Sequence, residues 1–344
     1  MKISTRSILL PCCNSPISVY LIDDDSDFLL DLSTRLSVEF FRYEASKSPK
    51  KLLKHINKQY VDNPFIKRTT QELPLGSRGD RRIEVQTSEI YHEVRRLERF
   101  EQVGIVIVDV QMPEMDGIDF CKKLKNPYIQ KIMLTGTLSE TDAISALNTG
   151  VVHQVLYKHP TKMGEILHEA LLRARWSYFT ALTRAMYGSN SPYNINSAPE
   201  DSAFAKLLEK EMQRCKAVEY YLCDPRGTFL LLDANGNSYG LFARTSQQLQ
   251  ESYSTPQAQS VSPQLLKELK AHKKMLCYFH PEQTRSPEGG AWEQYVHATN
   301  VFQGDQPLFY ACVPNAIPIT NVAPFCKYEQ PQDAMGKANF RLFS

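Results

Sequence analysis

VGIVIVDVQMPEMDG, residues 103–117, decides how this chain is read. Val103 to Val110 is a near-continuous β-branched run. Such a run predicts a strand buried on both faces, as in a parallel sheet. Asp109 sits at its carboxyl end, and VQMPEMDG follows as a tight loop with Pro113 and Gly117. Upstream, VYLI (19–22) runs directly into Asp23, Asp24, Asp25 and Asp27 with no basic residue among them. Like charges this close repel one another, so their place at the end of a core strand calls for a reason.

The segments around these two runs alternate. Residues 17–22 predict a strand, and FLLDLSTRLSVEF (28–40) an amphipathic helix. FRYEAS predicts a second strand, and SPKKLLKHI a helix capped by Ser48 with Pro49 at its first position. After 103–110 come a helix over 117–125, the strand KIMLTGT and a helix over 139–150 capped by Ser139 and Asp142. The strand VHQVLYK (152–158) and a long helix over 161–187 complete the series. Five strand–helix alternations predict an α/β doubly wound five-stranded parallel sheet with right-handed crossovers. In such sheets, sites form outside the carboxyl ends of the strands.

A length of 344 residues suits two domains. The expected boundaries are an N-terminal extension over 1–16, an α/β domain over 17–187, a linker over 188–202 and a second domain over 203–344. The pattern fails over about 58–87, which predicts an exposed insertion, and helical spacing returns over SEIYHEVRRLERFEQ (88–102). Between residues 45 and 100 there are 13 Lys plus Arg against 7 Asp plus Glu, an excess of 6, so the insertion is basic. The second half is predicted as α+β with an antiparallel sheet, its strands joined by DPRG and NG turns. DANGN (233–237) resembles the start of a calcium loop but lacks the later Glu, and is expected as a hairpin turn.

Net charge is +2 and charged residues make up 23%, so composition implies no pull toward nucleic acid or membrane. The eight cysteines show no CxxC spacing and predict neither a zinc nor a disulfide framework. No apolar stretch approaches the about 18 residues that span a bilayer. A cytoplasmic protein without membrane partners is expected.

The fold explains the acidic cluster. Asp23, Asp24 and Asp109 converge at the carboxyl ends of central strands. Several carboxylates in one pocket require a cation, and a hard divalent ion such as Mg²⁺ suits an all-oxygen set. Asp25 and Asp27 are expected instead at a helix N-terminus, where acids are favoured. LTGT brings the Thr135 hydroxyl to the end of the fourth strand, and Lys158 ends the fifth. A carboxylate nucleophile, a hydroxyl and a cation around a metal are the equipment for an acyl phosphate.

IDDD, DVQMPEMDG and LTG, in this order at strand ends, resemble the receiver domain of two-component response regulators over roughly residues 17–185. The resemblance implies that Asp109 is the phosphoacceptor. It implies that Asp24 binds Mg²⁺ directly, Asp23 does so through water, and the backbone carbonyl of Gln111 completes the protein ligands. Thr135 would hydrogen-bond the phosphoryl group, and Lys158 would ion-pair with it. Gly136 would leave room for the donor. A sensor histidine kinase or phosphotransfer protein is the implied partner.

Three departures stand out. Asp24 and Asp109 are 85 residues apart (109 − 24), about twice the family's gap. His159 intervenes between Lys158 and Pro160, and Val155 holds the usual switch-aromatic position with Tyr157 on the same strand face.

The apolar stripe of the 161–187 helix, with Trp176, Tyr178 and Phe179 in its far half, predicts a homodimer through that helix, with packing on the second domain as the alternative. Residues 200–344 carry 14 Lys plus Arg against 15 Asp plus Glu, a net of −1, with no basic recognition helix. Direct DNA binding is therefore not expected. The second domain is expected as a binding module and not an enzyme. The alternative is an enzyme or nucleotide-binding module using its His and Cys residues with Arg226, Arg244 and Arg285. The architecture resembles a small group of atypical response regulators, one of which serves α-hydroxyketone quorum sensing. That likeness implies control of a growth-phase or virulence programme.

Overall fold

The computed structural model describes residues 9–60, 63–75, 80–136, 140–159, 161–188, 190–253, 262–279, 293–327 and 340–343. The chain divides into two compact units that interleave in sequence. One comprises Asn14–Thr70, Leu97–Met186 and Lys327–Ser344. The other comprises Met1–Cys13, Gln71–Arg96 and Tyr187–Cys326.

The elements begin with β1 (Cys13–Asn14), β2 (Ile17–Ile22), α1 (Ser26–Arg35), β3 (Phe41–Ser46), α2 (Pro49–Gln59) and α3 (Pro64–Thr69). Next are β4 (Thr70–Leu75), β5 (Asp80–Val85), α4 (Thr87–His92), β6 (Val103–Asp109), α5 (Gly117–Lys123) and β7 (Gln130–Thr135). They continue with α6 (Glu140–Asn148), β8 (Gln154–Tyr157), α7 (Met163–Tyr187), α8 (Phe204–Cys215), β9 (Ala217–Asp224) and β10 (Thr228–Asp233). The rest are β11 (Ser238–Thr245), α9 (Ser246–Tyr253), α10 (Pro263–Lys270), β12 (Lys274–Leu276), β13 (Val296–Ala298), β14 (Asn300–Gln303), β15 (Pro307–Pro314) and β16 (Phe340–Phe343).

In the first unit the sheet order is β16-β3-β2-β6-β7-β8, with every neighbouring pair parallel. The five strands expected from sequence are all present. Every residue of β2 and β6 is buried, as a strand covered on both faces requires. Tyr20, Ile22, Val106, Val108 and Met133 share one core cluster with Leu52 and Ile56 of α2, Phe120 of α5 and Ala146 of α6. Strand alternation sends Val19, Leu21, Ile105 and Ile107, also buried, to the opposite face.

The five-stranded expectation needs one addition. β16 pairs with β3 in register from Phe340↔Tyr43 to Phe343↔Ser46. Without it, β3 would present an unpaired edge of N–H and C=O groups.

The basic insertion differs from its expected irregularity: Asn63 caps α3 by accepting from Phe65 N–H and Ile66 N–H, and β4 and β5 form a two-stranded sheet. After it, α4 opens the stretch expected to be helical over 88–102, which continues as short 3-10 turns, and α4 packs on β9. Ile90 and Tyr91 of α4 are buried, and Tyr91 meets Phe279 edge-on. TQELPL, with a proline and no regular apolar alternation, gave no strand signal.

α7 runs 25 residues. Its stripe is covered within the chain: Leu171, Tyr178, Phe179 and Leu182 are all buried. These side chains are therefore unavailable as the homodimer face expected of this helix. Its open side carries Glu169, Leu172 and Arg173. Ser139, given a capping role above, lies outside the described residues.

The second unit holds the sheet β1-β9-β10-β11-β15-β14 and the pair β12–β13. β9, β10 and β11 run antiparallel as expected. Asp233 Oδ1 accepts from Asn235 N–H and Asn237 N–H, and Gly236 has φ +84°, so DANGN is a hairpin turn. Part of the 188–202 stretch packs down: Tyr193 and Ala198 are buried, and the Tyr193 hydroxyl donates to the Leu10 carbonyl at 3.0 Å. Arg226 and Arg244 both approach the buried Asp224, at 3.6 and 3.8 Å. His272 packs against the rings of Tyr253 and Phe309. His280 and Arg285 fall outside the described residues.

Candidate functional site

Parallel pairing brings the strand ends to one rim. Asp23 follows β2, Asp109 closes β6, Thr135 closes β7 and Lys158 follows β8. Oxygens of Asp23, Asp24 and Asp109 lie within 4.8 Å of one another. Asp23 and Asp109 are buried, at 2% and 7% exposure, whereas Asp24 is open to solvent. The Lys158 ammonium bridges the buried pair, 2.7 Å from Asp23 Oδ2 and 2.7 Å from Asp109 Oδ1.

The remaining carboxylate oxygens are held by backbone. Asp23 Oδ1 accepts from Asp25 N–H at 2.9 Å, and Asp109 Oδ2 accepts from Gln111 N–H at 2.9 Å. Burial raises the Asp23 pKa above its ordinary value, against the hydrogen bonds from Lys158 and Asp25 that pull it down. At Lys158, burial favours the neutral amine. Hydrogen bonds to Asp109 and then Asp23 outweigh that, and its pKa is raised. The pocket thus carries more negative charge than its own ammonium neutralises, and its donors are all hard oxygens. That set fits Mg²⁺.

Local sequence sets this geometry. Asp25 caps α1, accepting from Asp27 N–H and Phe28 N–H, as expected for an acid at a helix N-terminus. Asp116 caps α5 through Ile118 N–H. Gly117 donates its N–H to the Val110 carbonyl at 2.9 Å. A Cβ there would lie 2.2 Å from the Asp109 carbonyl oxygen, so only glycine lets the loop return to the strand end. A Cβ built at Gly136, beside the buried Thr135, meets none of the described residues within 4 Å. Lys158 N–H donates to the Thr135 carbonyl at 2.8 Å, tying these strand ends together.

Asp23, Asp24, Asp109, Thr135 and Lys158 stand at this rim; Gln111 is joined to it by its N–H, which donates to Asp109, whereas the expectation concerned its carbonyl. Two features were missed. Phe28 stacks its ring 4.4 Å from the Lys158 ammonium; its helical spacing had marked it only as core. His159, exposed, accepts from Lys162 N–H at 3.2 Å and so caps the approach to α7. Val155 packs on the core, and Tyr157 is 54% exposed on the edge strand.

The response regulator receiver domain family matches residues 75–169. Asp23 and Asp24 precede that span because the insertion separates them from Asp109. A protein-glutamate methylesterase/protein-glutamine glutaminase of Photobacterium profundum is 28% identical over 131 residues, covering 35% of this chain and 36% of that protein. The transcriptional regulatory protein FlgR of Helicobacter pylori is 33% identical over 75 residues, covering 22% of this chain and 19% of its own length. The chain thus spans about a third or less of these relatives. The structure of the Legionella pneumophila response regulator LqsR is similar over 95% of this chain and 97% of that one, at 25% identity and a TM-score of 0.78. Strand ends carrying Asp23, Asp109, Thr135 and Lys158, together with these likenesses, show that this chain carries a response regulator receiver domain.

Proposed function

We propose that the receiver accepts a phosphoryl group on Asp109 and uses it to control the second unit. The observation that carries this reading is the Lys158 ammonium bridging two buried carboxylates at 2.7 Å each. Asp23, Asp24 and Asp109, with the Gln111 carbonyl, would hold Mg²⁺. A bound Mg²⁺ supplies positive charge against the phosphoryl oxygens. The Asp109 carboxylate attacks phosphorus of a phosphohistidine donor, the P–N bond breaks, and an acyl phosphate forms. Lys158 exchanges its contact with Asp109 for one with the phosphoryl group. The open space at Gly136 admits the donor. Thr135 moves to hydrogen-bond the new oxygens.

A phosphoryl group adds nearly two negative charges. Inverting a 1:99 equilibrium takes about 5.5 kcal/mol, within reach of several charge-assisted hydrogen bonds in a buried pocket. Phosphorylation then drives homodimerisation. The α7 stripe being buried, the apolar surface for it is Ile144 and Leu147 of α6, Tyr157 of β8 and Leu172 of α7, all exposed.

We read the second unit, built mainly from Tyr187–Cys326 and not from the expected 203–344 because β16 joins the receiver sheet, as a binding output module in the cytoplasm, serving gene regulation of the quorum-sensing or virulence type, without direct DNA contact. The commitment of Arg226 and Arg244 to Asp224 favours this over a nucleotide-processing enzyme.

The test is labelling by acetyl phosphate or a kinase with Mg²⁺, read by mass and oligomeric state. Wild type gains one phosphoryl group and dimerises; Asp109→Asn does neither. Incorporation that survives in the variant overturns the assignment.

A further inference from the structure

The second unit contains a second cluster of potential ligands, unrelated to the acidic rim. Glu211 and Cys215 lie four residues apart on α8, hence on one helix face. Cys312 comes from β15, opposite Leu241 of β11. One ligand atom from each of the three lies within 4.8 Å of the others. The two sulfurs are 3.6 Å apart. Glu211 and Cys215 are buried, while Cys312 is partly open and leaves a way in.

We propose that Glu211, Cys215 and Cys312 form a three-ligand site for a thiophilic divalent cation, Zn²⁺ being the natural occupant.

Geometry agrees with this. Zn–S bonds of about 2.3 Å at a tetrahedral angle place two sulfurs about 3.8 Å apart, close to the observed 3.6 Å. A disulfide needs about 2.05 Å, so that alternative requires the sulfurs to close by about 1.5 Å. Charge agrees as well. Two thiolates and one carboxylate around a divalent ion total −1, and the Arg214 guanidinium, 2.7 Å from Glu211, brings the set to neutral. The same guanidinium orients the carboxylate, as an outer partner of a metal ligand does. A free thiol is protonated at neutral pH, and a binding cation displaces that proton. Binding releases two protons: two thiols, one carboxylate and aqueous Zn²⁺ become a Zn(thiolate)₂(carboxylate) centre. The partly open side leaves a fourth position for water.

The experiment uses the full chain, reduced and stripped with chelator. Co²⁺ is titrated first, because thiolate-to-cobalt charge-transfer absorption reports sulfur ligation and is blind to binding at Asp23, Asp24 and Asp109. Zn²⁺ affinity is then measured by competition with a chromophoric chelator. Wild type takes up one equivalent with the charge-transfer band. Cys215→Ser and Cys312→Ser lose the band, and Cys326→Ser keeps it. Arg214→Gln weakens Zn²⁺ by about 10–100-fold. X-ray absorption on the wild-type zinc complex counts two sulfur ligands, a readout independent of whether any variant folds. Absence of the band, its survival in both cysteine variants, or a sulfur count other than two overturns the proposal. So does a chain that isolates two mass units light, with the cysteines joined and no metal uptake.

Discussion

Lys158→Ala isolates the electrostatics of the acidic rim. The ammonium lies 2.7 Å from each of two buried carboxylates. With charges centred about 4 Å apart, one such pair is worth about 4 kcal/mol at an effective dielectric of 20 and about 1 kcal/mol in water. A quarter of the Lys158 side chain is open, at 26% exposure, so screening reduces the sum of both pairs. Removing one partner of a buried pair also leaves the other charges uncompensated. The expected loss is about 2–4 kcal/mol of receiver stability in EDTA. Saturating Mg²⁺ neutralises the same carboxylates, so the loss shrinks below about 1 kcal/mol and Mg²⁺ stabilises the variant more than the wild type. Urea denaturation with and without Mg²⁺ measures both. An equal loss in the two conditions refutes the reasoning, because the lysine and the cation would then not act on the same charges.

Gly117→Ala sets a Cβ 2.2 Å from a backbone oxygen, whereas Gly136→Ala meets none of the described residues within 4 Å. The first is expected to cost about 1–3 kcal/mol and to slow acetyl phosphate labelling, the second to change stability by less than about 0.5 kcal/mol; equal effects in urea titrations contradict the geometry. The His92 pKa is lowered by burial and by Arg95, against Glu89. Below its ordinary 6.5 the unfolded chain then binds more protons than the folded one, so stability falls as pH drops through that window. His92→Gln is expected to flatten this dependence in thermal melts between neutral and mildly acidic pH, and an unchanged slope contradicts it.

The acidic rim was legible in sequence because each of its residues ends an apolar run, and parallel topology delivers strand ends to one place. Asp109, Thr135 and Lys158 needed no long-range information beyond the fold class. The β4–β5 pair of the insertion was not legible, since TQELPL and DRRIEV lack a regular apolar alternation. β16 is four residues of an otherwise unpatterned segment, paired with a strand far earlier in the chain. Cys215 and Cys312 stand 97 residues apart without ligand spacing, and only the packing of α8 and β15 brings their sulfurs together. The α7 stripe was visible, but periodicity reports that a face is apolar and not what covers it.

The pairing of β16 with β3 sets a clock on biosynthesis. Phe340 partners Tyr43, 297 residues earlier (340 − 43). At about 5–20 residues per second on the ribosome, about 15–60 s separate the emergence of the two strands. During that interval the nascent receiver sheet exposes the flank of β3 to any extended peptide nearby, so growth temperature and chaperone supply bear on yield through this one edge.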